Sequence, residues 1–148
     1  MNPMQNIILG GIIIVYALIE IASKSYKDYE ATKDDSKLEL FMFISLLGVL
    51  QPLIFFITSK LGNLWFPEMK GALASWPAWL MFAVLLVGDD LTQYWWHRIS
   101  HSPLLWPLHR AHHSAHYMSI RMTYRNNFFY YAMMPGLWIS GVAIYLGF

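Results

Sequence analysis

The sequence predicts an all-α membrane protein of about four transmembrane helices with a histidine-rich helical segment on the cytoplasmic side. Three observations carry that expectation: a depleted charge content, four long apolar runs, and six histidines confined to twenty consecutive residues. The 148-residue chain is 57% hydrophobic and only 13% charged, against about 25% charged in soluble domains. A net charge of +1 supplies no basic surface, so nucleic acid is not an expected partner. With no cysteine, disulfides, thiolate metal sites, iron–sulfur clusters and thiol nucleophiles are excluded. The first six residues lack a basic region, and no small-residue cleavage site follows, so the first apolar run reads as a retained span.

The four runs approach or reach the roughly 17–25 residues that cross a hydrocarbon core. They are residues 7–22, with Glu20 near the end, then 41–58, 72–88 and 128–148. None contains Lys, Arg or Asp, each of which costs about 2.5–3.5 kcal/mol at a helix centre. Pro52, Pro77 and Pro135 lie inside these runs, where they are expected to kink the helices. Gly10, Gly11, Gly136 and Gly141 are small enough to allow close helix contacts. The connections give the orientation. Loop 23–40 holds Lys24, Lys27, Lys33 and Lys37, and segment 89–127 holds Arg98, Arg110, Arg121 and Arg125. The opposite side holds only Lys60 and Lys70, which places the histidine segment in the cytoplasm and both termini across the membrane. Residues 1–148 form one domain, without repeat or linker.

The histidine segment supplies the candidate site. At about 100° per residue, His97 and His101 share one helical face, and Asp90 and Tyr94 lie on the same stripe. His109, His112, His113 and His116 fall within an arc of about 100° on a second helix. Between them, Ser102 and Pro103 can start a turn, or Pro107 can open the second helix. Two such faces would build an imidazole-lined pocket. Imidazole titrates near neutrality and binds iron, zinc, copper or nickel. Unmetallated, so many rings would compete for few hydrogen-bond partners.

No glutamate completes a zinc-protease H-E-x-x-H pattern. Zinc held by imidazoles alone remains chemically open, and a haem between histidines on two spans is a weaker reading. More than four ligands close together point to two metal ions sharing a site. Beside an apolar bundle, such a site suits oxygen activation against an aliphatic chain. Asp90 can orient a ligand histidine, and Tyr94 can bond a metal-bound oxygen. Trp95, Trp96 and Trp106 suit the interfacial belt. Asp89 is expected to face water or headgroups, while Arg98 and Arg110 point away from a charged metal.

At these residues the sequence resembles the fatty acid hydroxylase / sterol desaturase superfamily of integral-membrane, histidine-box diiron oxygenases. "DLTQYWWHRISH" follows D-x-x-x-Y-W-x-H-R-x-x-H from Asp90 to His101, and "LWPLHRAHHS" follows L-W-x-x-H-x-x-H-H-S from Leu105 to Ser114. The resemblance implies an oxidoreductase that hydroxylates or desaturates a lipid-like substrate, such as a sterol or fatty acid, in lipid biosynthesis. It implies two iron ions, which zinc can replace, O2, and electrons from a separate donor. His97, His101, His109, His112 and His113 would be the iron ligands, with His116 a further candidate. The family carries another H-x-x-H-H box, and no histidine follows His116. The chain therefore reads as the N-terminal portion of such a domain, completed by a further segment or a second chain, or else as a catalytically incomplete metal-binding fragment. Where the family often has R-x-H, this chain has "RNN", so Asn127 would be a hydrogen bonder or weak ligand.

Overall fold

The computed structural model describes residues 33–115 and 120–148, with positions 11, 14–16, 18–19 and 22 of the N-terminal segment. Most of the first expected span, with Gly10 and Glu20, lies outside the described residues, as do Lys24, Lys27 and His116. Among the described residues every regular element is helical, in agreement with the all-α expectation.

The chain from Lys33 forms helix α1 (Lys33–Ile44), a π-helical segment (Ser45–Leu50) and α2 (Gln51–Trp65) without interruption. Asp34 to Trp65 is thus one run of 32 residues with mean hydropathy 2.4 in its most apolar window, about 48 Å long at 1.5 Å per residue. Among the described residues this is the one helix long and apolar enough to cross a membrane. Only 17% of its apolar window is buried within the molecule, unlike the core helix of a soluble protein. The wide π turn explains how Pro52 is tolerated. Proline has no N–H and its ring collides with the carbonyl four residues back. Here the Gln51 N–H already reaches Leu46 O, five residues back, so the ladder is shifted before the proline arrives.

The two remaining prolines end or start helices where a kink was expected. Residues 71–75 form turns, and α3 (Ala78–Ser100) begins only after Pro77, whose ψ of 135° is extended. The expected run 128–148 is split into α5 (Phe128–Met133) and α6 (Pro135–Leu146) by Met134, extended at ψ 115°. Proline excludes its predecessor from the helical region, which makes Met134 the break. The Ala132 carbonyl near this break accepts from Trp138 Nε1 at 2.8 Å. Between α3 and α5 lies the short α4 (Trp106–His109), followed by 3-10 turns at His112–Ser114 and Ile120–Tyr124.

Leu46, Leu50, Ile54, Tyr130 and Tyr131 form the buried centre, with Trp96, Leu108 and Tyr124 against it. It joins the π segment to α5, directly beneath the histidines. At the other end α2 crosses α6 closely. A Cβ on Gly141 would sit 2.5 Å from Thr58 Oγ1, and one on Gly62 would sit 2.7 Å from the Tyr145 ring. The crossing therefore requires residues without side chains. Gly136 marks a less tight approach of α6 to α3, where a Cβ would sit 3.2 Å from Gln93 Nε2 and 3.3 Å from Asp89 Oδ1. Asp89 thus lies against the start of α6 rather than only in water. Much of the outer surface of the helices is apolar, with Phe41, Trp79, Phe82 and Val87 each more than 60% exposed, as a lipid-facing surface would be.

Candidate metal centre

His97 sits in the last turn of α3, and His101 caps that helix. The buried Ser100 between them returns its hydroxyl to Trp96 O at 2.6 Å, which seals this turn against the core. The chain then reverses through Ser102, whose carbonyl accepts from the N–H groups of both Leu105 and Trp106. Pro107 stands in the first turn of α4, where its missing N–H leaves no bond unmade. The reversal carries His109 back over His97, with ring centroids 4.5 Å apart.

Both expected i,i+4 pairs are present. His97 and His101 approach at 3.1 Å between their Nε2 atoms, and His109 and His113 at 3.0 Å. One ligand nitrogen from each of these four rings lies within 4.8 Å of all the others. His112 flanks them, its ring 5.4 Å from His109 and 5.7 Å from His97. The second histidine set does not ride on one α-helix, because α4 stops at His109 and His112–Ser114 is a 3-10 turn. This change turns His112 toward the segment that follows, while His113 stays in line with His109.

Two hydrogen bonds select the tautomers. His109 Nδ1 donates to Asn126 Oδ1 at 3.1 Å, and His112 Nδ1 donates to the Met122 carbonyl at 3.2 Å. With Nδ1 protonated, the Nε2 lone pair of each ring is the one free for a ligand bond. Burial, the largest cause, lowers the His97, His112 and His113 pKa values and neighbouring imidazoles add to it, while at His112 the hydrogen bond to the Met122 carbonyl opposes burial without reversing it. For wholly buried His109, burial outweighs the Asn126 hydrogen bond and pushes the value down to about 4. Those four rings are therefore neutral at pH 7, the state that binds metals.

The donor set fits a metal ion. Two imidazoles at right angles on one ion, each with a bond of about 2.0–2.1 Å, have nitrogens about 3.0 Å apart. Both histidine pairs show this spacing, which is also that of the N–H···N hydrogen bond each pair makes without an ion. Aromatic rings hold the imidazoles from outside: Tyr130 stacks on His109 at 4.9 Å and 17°, and Trp106 on His113 at 5.5 Å and 27°. His101 and His113 remain exposed, so the cluster opens on that side.

The expected supporting residues take other places. Tyr94 is 52% exposed, and its hydroxyl accepts from Arg98 at 2.6 Å; Arg98 also lies over Trp95. Asp90 is exposed and, among the described residues, makes no hydrogen bond to a histidine. Asn127 caps α5, accepting from Phe129 N at 2.8 Å. Its neighbour Asn126, which sequence reasoning passed over, is the residue that meets a histidine. The "RNN" motif pointed to this place but not to which asparagine turns inward. Tyr130 and the Met122 carbonyl were also missed: stacking on an imidazole has no spacing signature, and a carbonyl has no side-chain identity.

Fold and site together define an all-helical protein with a cluster of neutral, converging imidazoles beside an apolar helix bundle. Residues 82–148, from within α3 to the C-terminus, match the family model for fatty acid hydroxylase. The histidine-motif resemblance to the fatty acid hydroxylase superfamily thus holds for the C-terminal part of the chain. That family is typically membrane-bound, which agrees with the long apolar helix. No solved structure matches the chain.

Proposed function

We propose that the chain is a membrane-embedded, O2-dependent hydroxylase or desaturase of a lipid-like substrate, such as a fatty acid or sterol. His97, His101, His109, His112 and His113 hold two iron ions in this reading, with His116 a further candidate ligand. Bound iron would supply O2 reduction and oxidation of an unactivated C–H bond, chemistry beyond any amino-acid side chain. The observation that carries the proposal is the convergence of imidazole nitrogens, two of the rings being held by Nδ1 with Nε2 left for a metal.

The chain's own groups have defined tasks. Asn126 and the Met122 carbonyl orient two rings, buried Tyr130 covers the His109 side of the cluster, and Trp106 stacks on His113 at its open side. The apolar surface of the helices offers the aliphatic substrate a dry approach. Electrons come from a separate donor. In the proposed topology one domain crosses the membrane four times, with histidines and basic loops in the cytoplasm and both termini opposite.

A second reading rests on the exposure of His101 and His113. An open cluster can be closed by ligands from a further segment or a second chain, and by itself it would bind metal without turnover. Iron per chain in the detergent-purified protein, compared with a His112→Ala His113→Ala variant, separates the two readings. About two irons per chain, lost in the variant, support the oxygenase. One iron or none assigns this chain the incomplete cluster.

A further inference from the structure

The two hydrogen bonds that orient the imidazoles come from one short stretch, the 3-10 turn Ile120–Tyr124 and the two residues after it. Arg125 is the joint of that stretch. Its N–H donates at 2.9 Å to the Met122 carbonyl, the same oxygen that holds His112, and the next residue, Asn126, holds His109. The Arg125 side chain is only 9% exposed and reaches Asp35 Oδ1 at 2.6 Å, across ninety positions of sequence.

Asp35 stands in the first turn of α1. Its neighbour Asp34 makes a solvated pair with Lys37, both side chains more than 75% exposed. Asp35 is instead 22% exposed, and one helical turn further on Glu39 is only 2% exposed. This face of α1 is thus pressed against the histidine segment, with Phe43 meeting Tyr124 edge-on at 4.9 Å. An ion pair shielded in this way holds its geometry better than a surface pair, which salt and side-chain entropy weaken.

We infer that the Asp35–Arg125 ion pair positions the metal centre, coupling the polar start of the long helix to the orientation of His109 and His112. Asp35 and Arg125 are positioning residues, acting on His109 and His112 through Asn126 and the Met122 carbonyl. The inference deepens the metal-centre reading and rests on it. Loss of the pair loosens the hold of α1 on the Met122–Asn126 stretch, and both imidazole supports shift together.

The test is cobalt(II) titration of the full-length protein in detergent, read by the visible absorption of the bound ion. Wild type is compared with Asp35→Asn, Asp35→Glu, Arg125→Lys and, as a solvated control, Asp34→Asn. Removing a group that holds a metal-ligating histidine typically weakens binding about 10–100-fold. For Asp35→Asn a loss of roughly tenfold is expected, the low end of that range, since the pair acts one residue removed. Its cobalt spectrum at saturation should also be altered. Arg125→Lys should shift in the same direction by less, which keeps the test available if Asp35→Asn does not fold. Asp35→Glu should recover most of the affinity, and Asp34→Asn should match wild type. A lowered melting temperature of the metal-free protein, with affinity and saturated spectrum unchanged, would overturn the inference. Failure of wild type itself to bind cobalt would instead overturn the metal-centre reading, and this inference with it.

Discussion

Two adjacent asparagines show how much a single side-chain direction decides. Asn126 is 5% exposed and accepts from His109, whereas Asn127 accepts from the Phe129 N–H at the start of α5. Asn126→Ala should leave His109 Nδ1 without its acceptor, freeing the ring to rotate or to change tautomer. Iron or cobalt affinity is expected to fall about 10–100-fold, the usual effect of losing a partner of a metal-bound histidine. Asn127→Ala should cost about 1 kcal/mol of stability through the lost cap, with metal affinity close to wild type. Equilibrium metal titration and thermal unfolding of both variants check this; equal metal-binding defects would refute the assignment. At this scale the sequence made the clustering histidines legible but not the residues that orient them. His97 and His101 declare a shared face by the helical period alone, whereas His109 and His113 meet although their helix stops between them. Asn126, Tyr130 and Asp35 act through contacts between separate elements, and nothing in their local spacing sets them apart.

The elements were legible in kind, and less so in their bounds. Among the described residues, the runs 41–58, 72–88 and 128–148 each correspond mainly to helix, because composition survives a shift of a few residues. The three prolines showed what a pattern leaves open: Pro52 is absorbed by a π turn, Pro77 precedes a helix start, and Pro135 follows a break. Which outcome occurs depends on whether neighbours can satisfy the freed backbone groups. The 3-10 geometry at His112–Ser114 was equally invisible, although it separates the role of His112 from that of His113. The glycines give a sharper statement about packing. A Cβ on Gly141 would meet Thr58 Oγ1 at 2.5 Å, whereas one on Gly88 would meet nothing within 4 Å. Gly141→Ala should therefore force α2 and α6 apart and destabilise by about 1–3 kcal/mol, the usual cost of overpacking. Gly88→Ala should cause no loss. Thermal unfolding in one detergent compares them, and a neutral Gly141→Ala would mean that the crossing has room the structure does not display.

At the scale of the whole molecule, the ion pair and the long helix together set which groups lie at each end of that helix, and in the proposed topology those ends lie on opposite sides of the membrane. The run from Asp34 to Trp65 is about 48 Å long, longer than a hydrocarbon core of about 30 Å. Its polar start is held to Arg125, beside the histidines, while its far end meets the chain terminus through Tyr145 OH and Phe66 O at 2.9 Å. The helix therefore separates Lys37 from Lys70 by the full depth of the bundle, independently of any counting of basic residues. Positive charge points the same way, since the side proposed as cytoplasmic carries eight of the ten Lys and Arg residues. The chain has no cysteine, so single-cysteine variants report their own accessibility without background. In right-side-out vesicles, a membrane-impermeant maleimide should label Lys70→Cys directly. Lys37→Cys and Arg110→Cys should label only after permeabilisation, and both should reverse together in inverted vesicles. Labelling of Lys37→Cys and Lys70→Cys from one side would mean that the long helix lies along the membrane. It would then serve as an interfacial arm beneath the histidine cluster, and the four-span topology would fall.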